Sequence, residues 1–368
     1  MSVPSGERQP LVWLMQRTDA AGGVTVIMDA LLEHLQSRRA WRVEKVVQRD
    51  QGTSRTQRRL PRWRRAALDV AAAARLARSL ASDRPDLVLT FTPAFGTATA
   101  WLARRYGGRT VLSHHLQRDA IGRLASRAVA LGERHALFAA TIACSHAVAA
   151  DFPETRSLEV VVNGVPDVRE GADESADRAW LAASHGVPMG PPIAFAAGRL
   201  APVKGYPVLI DALPSAPEWH LVIAGDGSER GALEARAQAL GVAERLHLLG
   251  RVPGPVAWSL MRCADAYVQP SRAEGLSLAL LEAFAMGAVV AASPIPPNRE
   301  VVAPGDVGLL VADDPVAWAA ALRRLRDEPG LGSTLRARAR AAYEGAYREA
   351  RMLEGYERVL ARVLAGPR

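Results

Sequence analysis

Cysteine is scarce in this chain of 368 residues: only Cys144 and Cys263 occur, far apart and without a Cys-x-x-Cys or histidine spacing. That excludes a disulfide framework and a cysteine-based zinc site, and it fits a reducing cytoplasm. Long apolar runs are absent too. No stretch of about 18 apolar residues occurs, so no membrane-spanning helix is expected, and the polar start from Met1 to Pro10 has no apolar core ahead of a cleavage site. Low-complexity tracts and solenoid-type repeats are missing. What the chain does have is an apolar content of 49% and a length beyond the roughly 250–300 residues at which single cores stop growing, so two domains are expected. It also has an arginine excess. A net charge of +8 favours a phosphate-bearing ligand, an anionic membrane face or nucleic acid. The basic residues lack the interleaved aromatics of a stacking platform, which argues against nucleic acid.

Short apolar runs of strand length alternate with helical patterns. Leu11 to Met15 is followed by a 3.6-period face through Val24, Ile27, Leu31 and Leu35, which predicts a β–α unit. Further strands are predicted at Asp86 to Phe91, Arg109 to His114, Ala140 to Ser145 and Glu159 to Asn163. From Val165 to Pro192 the pattern lapses into acidic, Ala-, Gly- and Pro-containing sequence. The rhythm restarts at Ile193 to Ala197 and continues at Leu221 to Ala224, Leu246 to Leu249, Ala266 to Gln269 and Ala288 to Ala292. An α/β fold with two Rossmann-like domains is therefore expected: residues 1–168, a connection over 169–191, residues 192–345, and a C-terminal helix over 346–368 packing back toward the first domain. Ligands of such sheets sit at the carboxyl ends of strands, and two domains facing across a cleft suit two substrates.

The informative residues fall just after predicted strands. Gly22-Gly23 leads into a helix, where backbone N–H groups can approach a phosphate closely, although an ordinary tight turn is the simpler account of the pair alone. After Ile193 to Ala197 come Arg199 and Lys204, two cations five residues apart that can bracket a diphosphate and stabilise charge on a departing nucleotide; two solvated surface charges are the plain alternative. Gly225-Asp226-Gly227 is no dinucleotide fingerprint, because the helix-side glycine falls at Gly231, one residue late. The segment Pro270 to Glu282 carries most. A helix capped by Ser277 would aim the amides of Gly275, Leu276 and Ser277 at an anion, and Glu282 sits inside an otherwise apolar helical stretch where a buried carboxylate needs donors such as ribose hydroxyls. Glu274, in the loop before it, can hold sugar hydroxyls; a half-exposed helix Glu and an exposed loop Glu are the plain readings of each alone. Asp313-Asp314 reads as a turn and helix cap.

Together these features resemble the group 1, family-four glycosyltransferases of the retaining GT-B type, over nearly the whole chain. The strongest element is an E-x7-E motif, Glu274 and Glu282 in PSRAEGLSLALLEAFAMG; AAGRLAPVKG, LVIAGDGSERGALE, LLGRV, VVNGVP and CSHAVAADF follow the family's order and spacing. The resemblance implies a nucleotide-diphosphate sugar donor, UDP- or GDP-linked, and a hydroxyl acceptor. It further implies Arg199 and Lys204 on the diphosphate, Glu282 on the ribose, Glu274 on the transferred sugar, amides from Gly275, Leu276 and Ser277, Arg251 and Val252 near the base, and Gly22 and Gly23 framing donor and acceptor. A histidine after an N-domain strand contacts the transferred sugar in this family; His114 and His115 are both candidates, with His115 favoured. Retention is assigned to same-face attack in which the leaving phosphate takes the acceptor proton, and no obligatory metal is expected because Arg199 and Lys204 substitute for a cation. The chain departs from the family at Ser293 to Glu300, where a proline-rich stretch replaces a glycine-rich turn. A non-hydrolysing nucleotide-sugar epimerase and an inactive donor-binding partner subunit are the alternatives. Finally, Arg55 to Arg65 holds six arginines and Trp63 with no acid, a candidate for peripheral contact with an anionic membrane, for a soluble anionic acceptor or for a plain solvated run.

Overall fold

The computed structural model describes residues 8–16, 22–47, 62–121, 123–167, 174–187 and 189–366. They form two compact units, residues 1–162 with 352–368, and residues 163–351. The first unit holds a parallel sheet of β1 (Leu11–Gln16), β2 (Arg42–Val47), β3 (Leu87–Thr90), β4 (Arg109–His114), β5 (Ala140–Ala143) and β6 (Leu158–Val160), in the order β2-β1-β3-β4-β5-β6. The second unit's parallel sheet contains β7 (Ile193–Ala197), β8 (His220–Ala224), β9 (Leu246–Gly250), β10 (Ala266–Gln269), β11 (Val290–Ala292) and β12 (Leu309–Leu310), in the order β12-β11-β10-β7-β8-β9.

Every pairing between neighbouring strands of both sheets is parallel. Parallel strands need crossovers, and the crossover helices cover both faces, so central strands become continuous apolar runs. Leu11–Gln16 is buried at all six positions and Leu87–Thr90 at all four. Around the first sheet Leu11, Trp13, Met15, Leu76, Leu80 and Val88 pack together. In the second unit Trp219 and Trp318, both fully buried, anchor a core shared with Leu209, Leu213, Leu221, Ile223 and Val268.

Two edge strands, β2 and β12, and one helix, Glu174–His185, were not evident in the sequence. The helix lies inside the stretch expected as a connection. Among its described side chains only Leu181 is fully buried, too few for an apolar period to show, and Arg178 fastens it through Asp265 at 2.7 Å. Residues 55–61 of the arginine run lie outside the described residues, and 62–65 open the helix Arg62–Asp83. Beyond Met352 the helix Glu349–Ala365 belongs to the first unit: Tyr356 is fully buried there, and Arg109 donates to the carbonyls of Val363 and Gly366. No helix among the described residues is long and apolar enough to cross a membrane.

Strand order reverses between β7 and β10 in the second sheet, since β8 and β9 lie to one side and β11 and β12 to the other. The loops leaving such a pair diverge and open a crevice at the strands' carboxyl ends. Gly198 to Gly205 follows β7 and Pro270 to Ser277 follows β10, so the motif residues flank this switch point.

Candidate active site

The two switch-point loops are joined backbone to backbone. Arg272 N–H donates to the Val203 carbonyl at 2.8 Å, and Gly205, at φ 69°, lies so close to Pro270 that a Cβ would sit 2.0 Å from the proline's carbonyl oxygen. Only glycine fits there, on both conformation and space. Gly225 does the same for the next loop. Its φ is 152°, a Cβ would sit 1.8 Å from the Gly198 oxygen, and its N–H donates to Gly250 at 2.7 Å. Gly225-Asp226-Gly227 is thus a packing device linking the loops after β7, β8 and β9. Arg251, exposed, and Val252, half-buried, follow that last strand.

Across the joined loops Lys204 Nζ donates to Glu274 Oε1 at 2.6 Å, and Ser271 Oγ donates to the same oxygen at 2.7 Å. The Lys204 and Glu274 side chains are 21% and 13% exposed, so the charges neutralise one another in a largely desolvated position, and removing one partner from such a pair costs about 3–5 kcal/mol. Oε2 of Glu274 has no partner among the described residues. Arg199 is exposed and makes no ion pair among the described residues.

Beneath the Pro270 to Ser277 loop runs a buried polar network. Ser277 caps the helix Leu278–Met286 by accepting from Leu280 N–H, and its hydroxyl donates to Gln269 Oε1 at 2.8 Å. Gln269 Nε2 donates to Asn298 Oδ1 at 3.2 Å; Asn298 Nδ2 donates to the Ser293 carbonyl at 2.9 Å, and Ser293 Oγ to the Ser271 carbonyl. Gln269, Ser277, Ser293 and Asn298 are all buried, and a network with every member partnered holds one geometry. The proline-rich departure from the family pattern therefore forms a helix, Pro296–Val302, whose Asn298 braces the Glu274 loop from below.

Glu282 is half-buried on the helix Leu278–Met286. Burial pushes its carboxyl above the usual range, and a hydrogen bond from the side chain of Trp258 partly offsets this. Buried Gly275 and Leu276 precede that helix, and Asn163 Nδ2 donates to the Leu276 carbonyl at 3.1 Å. Arg199, Lys204, Glu274, Gly275, Leu276, Ser277 and Glu282 are thus placed around a single switch point.

Gly22, Gly23 and His115 belong to the first unit. Gly23 opens the helix Gly23–Ser37, and Gly22 precedes it with extended backbone, φ 178°, so no glycine-only conformation is needed there. The neighbouring histidines point to different surroundings, as strand alternation dictates. His114, fully buried, stacks on Phe152 with ring centroids 4.0 Å apart; neither ring nitrogen has a partner among the described residues, and burial with the Arg118 charge lowers its pKa to about 4. Half-buried His115 follows β4, and its Nε2 lies 2.9 Å from Ser113 Oγ and 3.1 Å from Tyr356 Oη. Burial, with His114 adding to it, lowers its pKa to about 3.

Sequence reasoning missed Trp258, Gln269, Asn298 and Tyr356. The first three carry no motif signal of their own, and Tyr356 lies 241 residues from the histidine that it touches. Among the described residues no cluster of three or more His, Cys, Asp or Glu could hold a metal ion. Asp314 caps the helix Pro315–Asp327, and Asp313 pairs with Arg272 at 3.1 Å.

Residues 21–169 match the family model described as Glycosyltransferase Family 4, and residues 177–344 the model described as Glycosyl transferases group 1. The chain is 33% identical over 259 residues to a 2-deoxystreptamine N-acetyl-D-glucosaminyltransferase of Streptomyces fradiae, covering 64% of this chain and 61% of that one. It is 38% identical over 165 residues to a D-inositol 3-phosphate glycosyltransferase of Jonesia denitrificans, covering 42% and 39%. The matches thus span under two thirds of these relatives' lengths. The structure of Anabaena HepE in complex with UDP and glucose superposes with a TM-score of 0.78 at 19% identity, covering 95% of this chain and 99% of that one, a likeness of fold.

Proposed function

Because this chain belongs to the group 1, family-four glycosyltransferases and has their GT-B fold, we propose that it transfers a sugar, with retention of configuration, from a nucleotide-diphosphate sugar to an acceptor hydroxyl. The observation that carries this is the Lys204–Glu274 pair at the β7/β10 switch point. A cation and a carboxylate that neutralise each other accept a ligand only if it replaces both partners, and a diphosphate joined to a polyhydroxylated sugar does so: the anion takes Lys204 and the hydroxyls take Glu274. Arg199 lies five residues away as a second cation. The residues 163–351 form the donor-binding unit and the first unit receives the acceptor.

In this reading Glu282 accepts from the ribose hydroxyls, which add donors to a carboxyl that burial pushes up and Trp258 only partly steadies. Gly275, Leu276 and Ser277 offer amides, Arg251 and Val252 lie by the base, Gly22 and Gly23 frame the substrates, and His115 contacts the transferred sugar. The bond from the anomeric carbon to the leaving phosphate oxygen breaks while the acceptor oxygen bonds to the same face of that carbon. The acceptor's proton passes to the leaving phosphate. Arg199 and Lys204 stabilise the negative charge that grows there, so no metal is obligatory. A UDP-sugar is the first donor to test, because UDP is bound in the HepE structure. The S. fradiae relative makes N-acetylglucosamine the first sugar and an aminocyclitol hydroxyl the first acceptor.

Incubation with UDP-N-acetylglucosamine, other UDP- and GDP-sugars and a panel of hydroxyl acceptors, followed by NMR of the product's anomeric proton, tests the proposal. An α-linked donor yields an α-linked product. A β-linked product overturns retention, and consumption of donor without acceptor, with a changed sugar in the nucleotide pool, overturns transfer.

A further inference from the structure

We infer that Ser113 and Tyr356 fix the imidazole of His115 in the tautomer with its proton on Nδ1, so that His115 meets a ligand as a hydrogen-bond donor and not as a base. Three polar atoms form a closed triangle: Ser113 Oγ to Tyr356 Oη at 2.8 Å, Ser113 Oγ to His115 Nε2 at 2.9 Å, and Tyr356 Oη to His115 Nε2 at 3.1 Å. Ser113 and Tyr356 are both fully buried, and neither hydroxyl has another partner among the described residues. Their protons must be satisfied inside the triangle.

Counting those protons decides the tautomer. If Nε2 is bare, one hydroxyl donates to the other, which donates to Nε2, and both protons are used. If Nε2 carries a proton, it donates along one edge and a hydroxyl proton occupies a second. The remaining hydroxyl proton then faces an N–H with no lone pair and stays stranded in a buried site, which buried hydroxyls avoid. Phe91 closes one side, with its ring centroid 5.4 Å from the imidazole and 6.3 Å from the Tyr356 ring. The depressed pKa of His115, about 3, agrees with a neutral ring whose cation would strand the same proton and bury a charge as well. With Nε2 occupied, Nδ1 is the free end of this half-buried residue, and it has no partner among the described residues.

An Nδ1–H can hold a hydroxyl or phosphate oxygen of a ligand, but it offers no lone pair to remove a proton. Ser113 and Tyr356 are therefore positioning residues. The tautomer bears on turnover only through the proposed contact between His115 and the transferred sugar; its assignment does not depend on that contact.

Histidine-selective 15N labelling of the full chain, with long-range 1H–15N spectra and His115 identified through His115→Gln, reads the tautomer directly. The wild type is expected to show a protonated Nδ1 and a bare Nε2. Ser113→Ala and Tyr356→Phe each leave one hydroxyl to donate to Nε2 and keep that pattern; the double variant, with no donor left, shifts toward Nε2–H. Turnover in the double variant is expected to fall about tenfold, as for one misplaced hydrogen bond. Nε2–H in the wild type, or an unchanged tautomer in a folded double variant, overturns the inference. A shifted tautomer with unchanged turnover supports the inference and removes His115 from the sugar site instead. If the double variant does not fold, the wild-type spectrum alone decides.

Discussion

The two units place ionisable side chains at strand ends in opposite ways. In residues 163–351 an ion pair is kept: Lys204 and Glu274 neutralise each other at 2.6 Å, and half-buried Glu282, its carboxyl pushed up by burial, is steadied by Trp258. In the first unit charge is refused: His114 and His115, with pKa values lowered to about 4 and about 3, stay neutral. Chemistry explains the difference. An imidazole escapes the cost of burial by losing a proton near neutral pH, whereas an ammonium facing a carboxylate gains more by pairing. In the proposed reaction the first kind of site suits phosphate and leaving-group charge, and the second suits directed, uncharged hydrogen bonds.

Breaking the charged side should have the largest effect. Lys204→Ala leaves Glu274 without its cation and, in the proposed reaction, removes a contact to the leaving group. Steady-state rates should fall about a hundredfold or more, as they should for Arg199→Ala, if each supplies a transition-state contact of ~3 kcal/mol. The same rates should survive excess chelator; activity lost there and restored by magnesium or manganese would move the charge-handling role to a metal. Next, Glu282→Ala should weaken nucleotide-sugar binding by about 1.5–3 kcal/mol in calorimetry, with the fold intact. Glu282→Gln sharpens this point. A carboxyl whose folded pKa is raised loses stability as pH rises through the range between its unfolded and folded values, so the variant should melt higher than wild type near pH 7 and equally near pH 4.

A smaller effect tests the neutral side. His114 has a folded pKa of about 4 against an ordinary value of 6.5, so its stability contribution is present above pH 6.5 and lost as pH falls toward 4. Between pH values of about 7.5 and 5.5 the wild type should lose roughly 1 kcal/mol more than His114→Phe, by denaturant titration. The smallest effect on transfer concerns the arginine run that ends at Arg65. Changing Arg58, Arg59, Arg62, Arg64 and Arg65 to Ser should leave turnover with a soluble acceptor unaltered. If the run docks the protein on membranes, that variant loses salt-sensitive binding to anionic vesicles, at about 1 kcal/mol per charge; equal binding to anionic and neutral vesicles by the wild type would remove docking from consideration.

Most of the sheet framework was legible because parallel strands covered on both faces must be apolar runs, and Ile193–Ala197 and Ala266–Gln269 read directly as such. The edges were not. Arg42–Val47 alternates charge into a half-covered strand, and Leu309–Leu310 is too short for any pattern. At the candidate site the sequence pointed to Lys204, Glu274 and Glu282 but not to what holds them. Asn298 sits in a proline-rich stretch that read as a stiff turn, and its bond to Gln269 spans 29 residues. Glycine signals were ambiguous for a related reason: Gly22 adopts ordinary extended backbone, whereas Gly205 and Gly225 owe their identity to carbonyls from other loops.

The chain leaves the first unit at Val162 and returns at Met352, which gives the protein an order of assembly on the ribosome. Residues 163–351 emerge as one uninterrupted stretch and can mature while the first unit still lacks its closing helix. Ser113 waits 243 residues for Tyr356, roughly 12–50 s at ordinary elongation speeds. Throughout that interval the His115 pocket lacks one wall, and the nascent first unit exposes the apolar surface that this helix later covers. The second unit, though later in the message, is the first that can be finished.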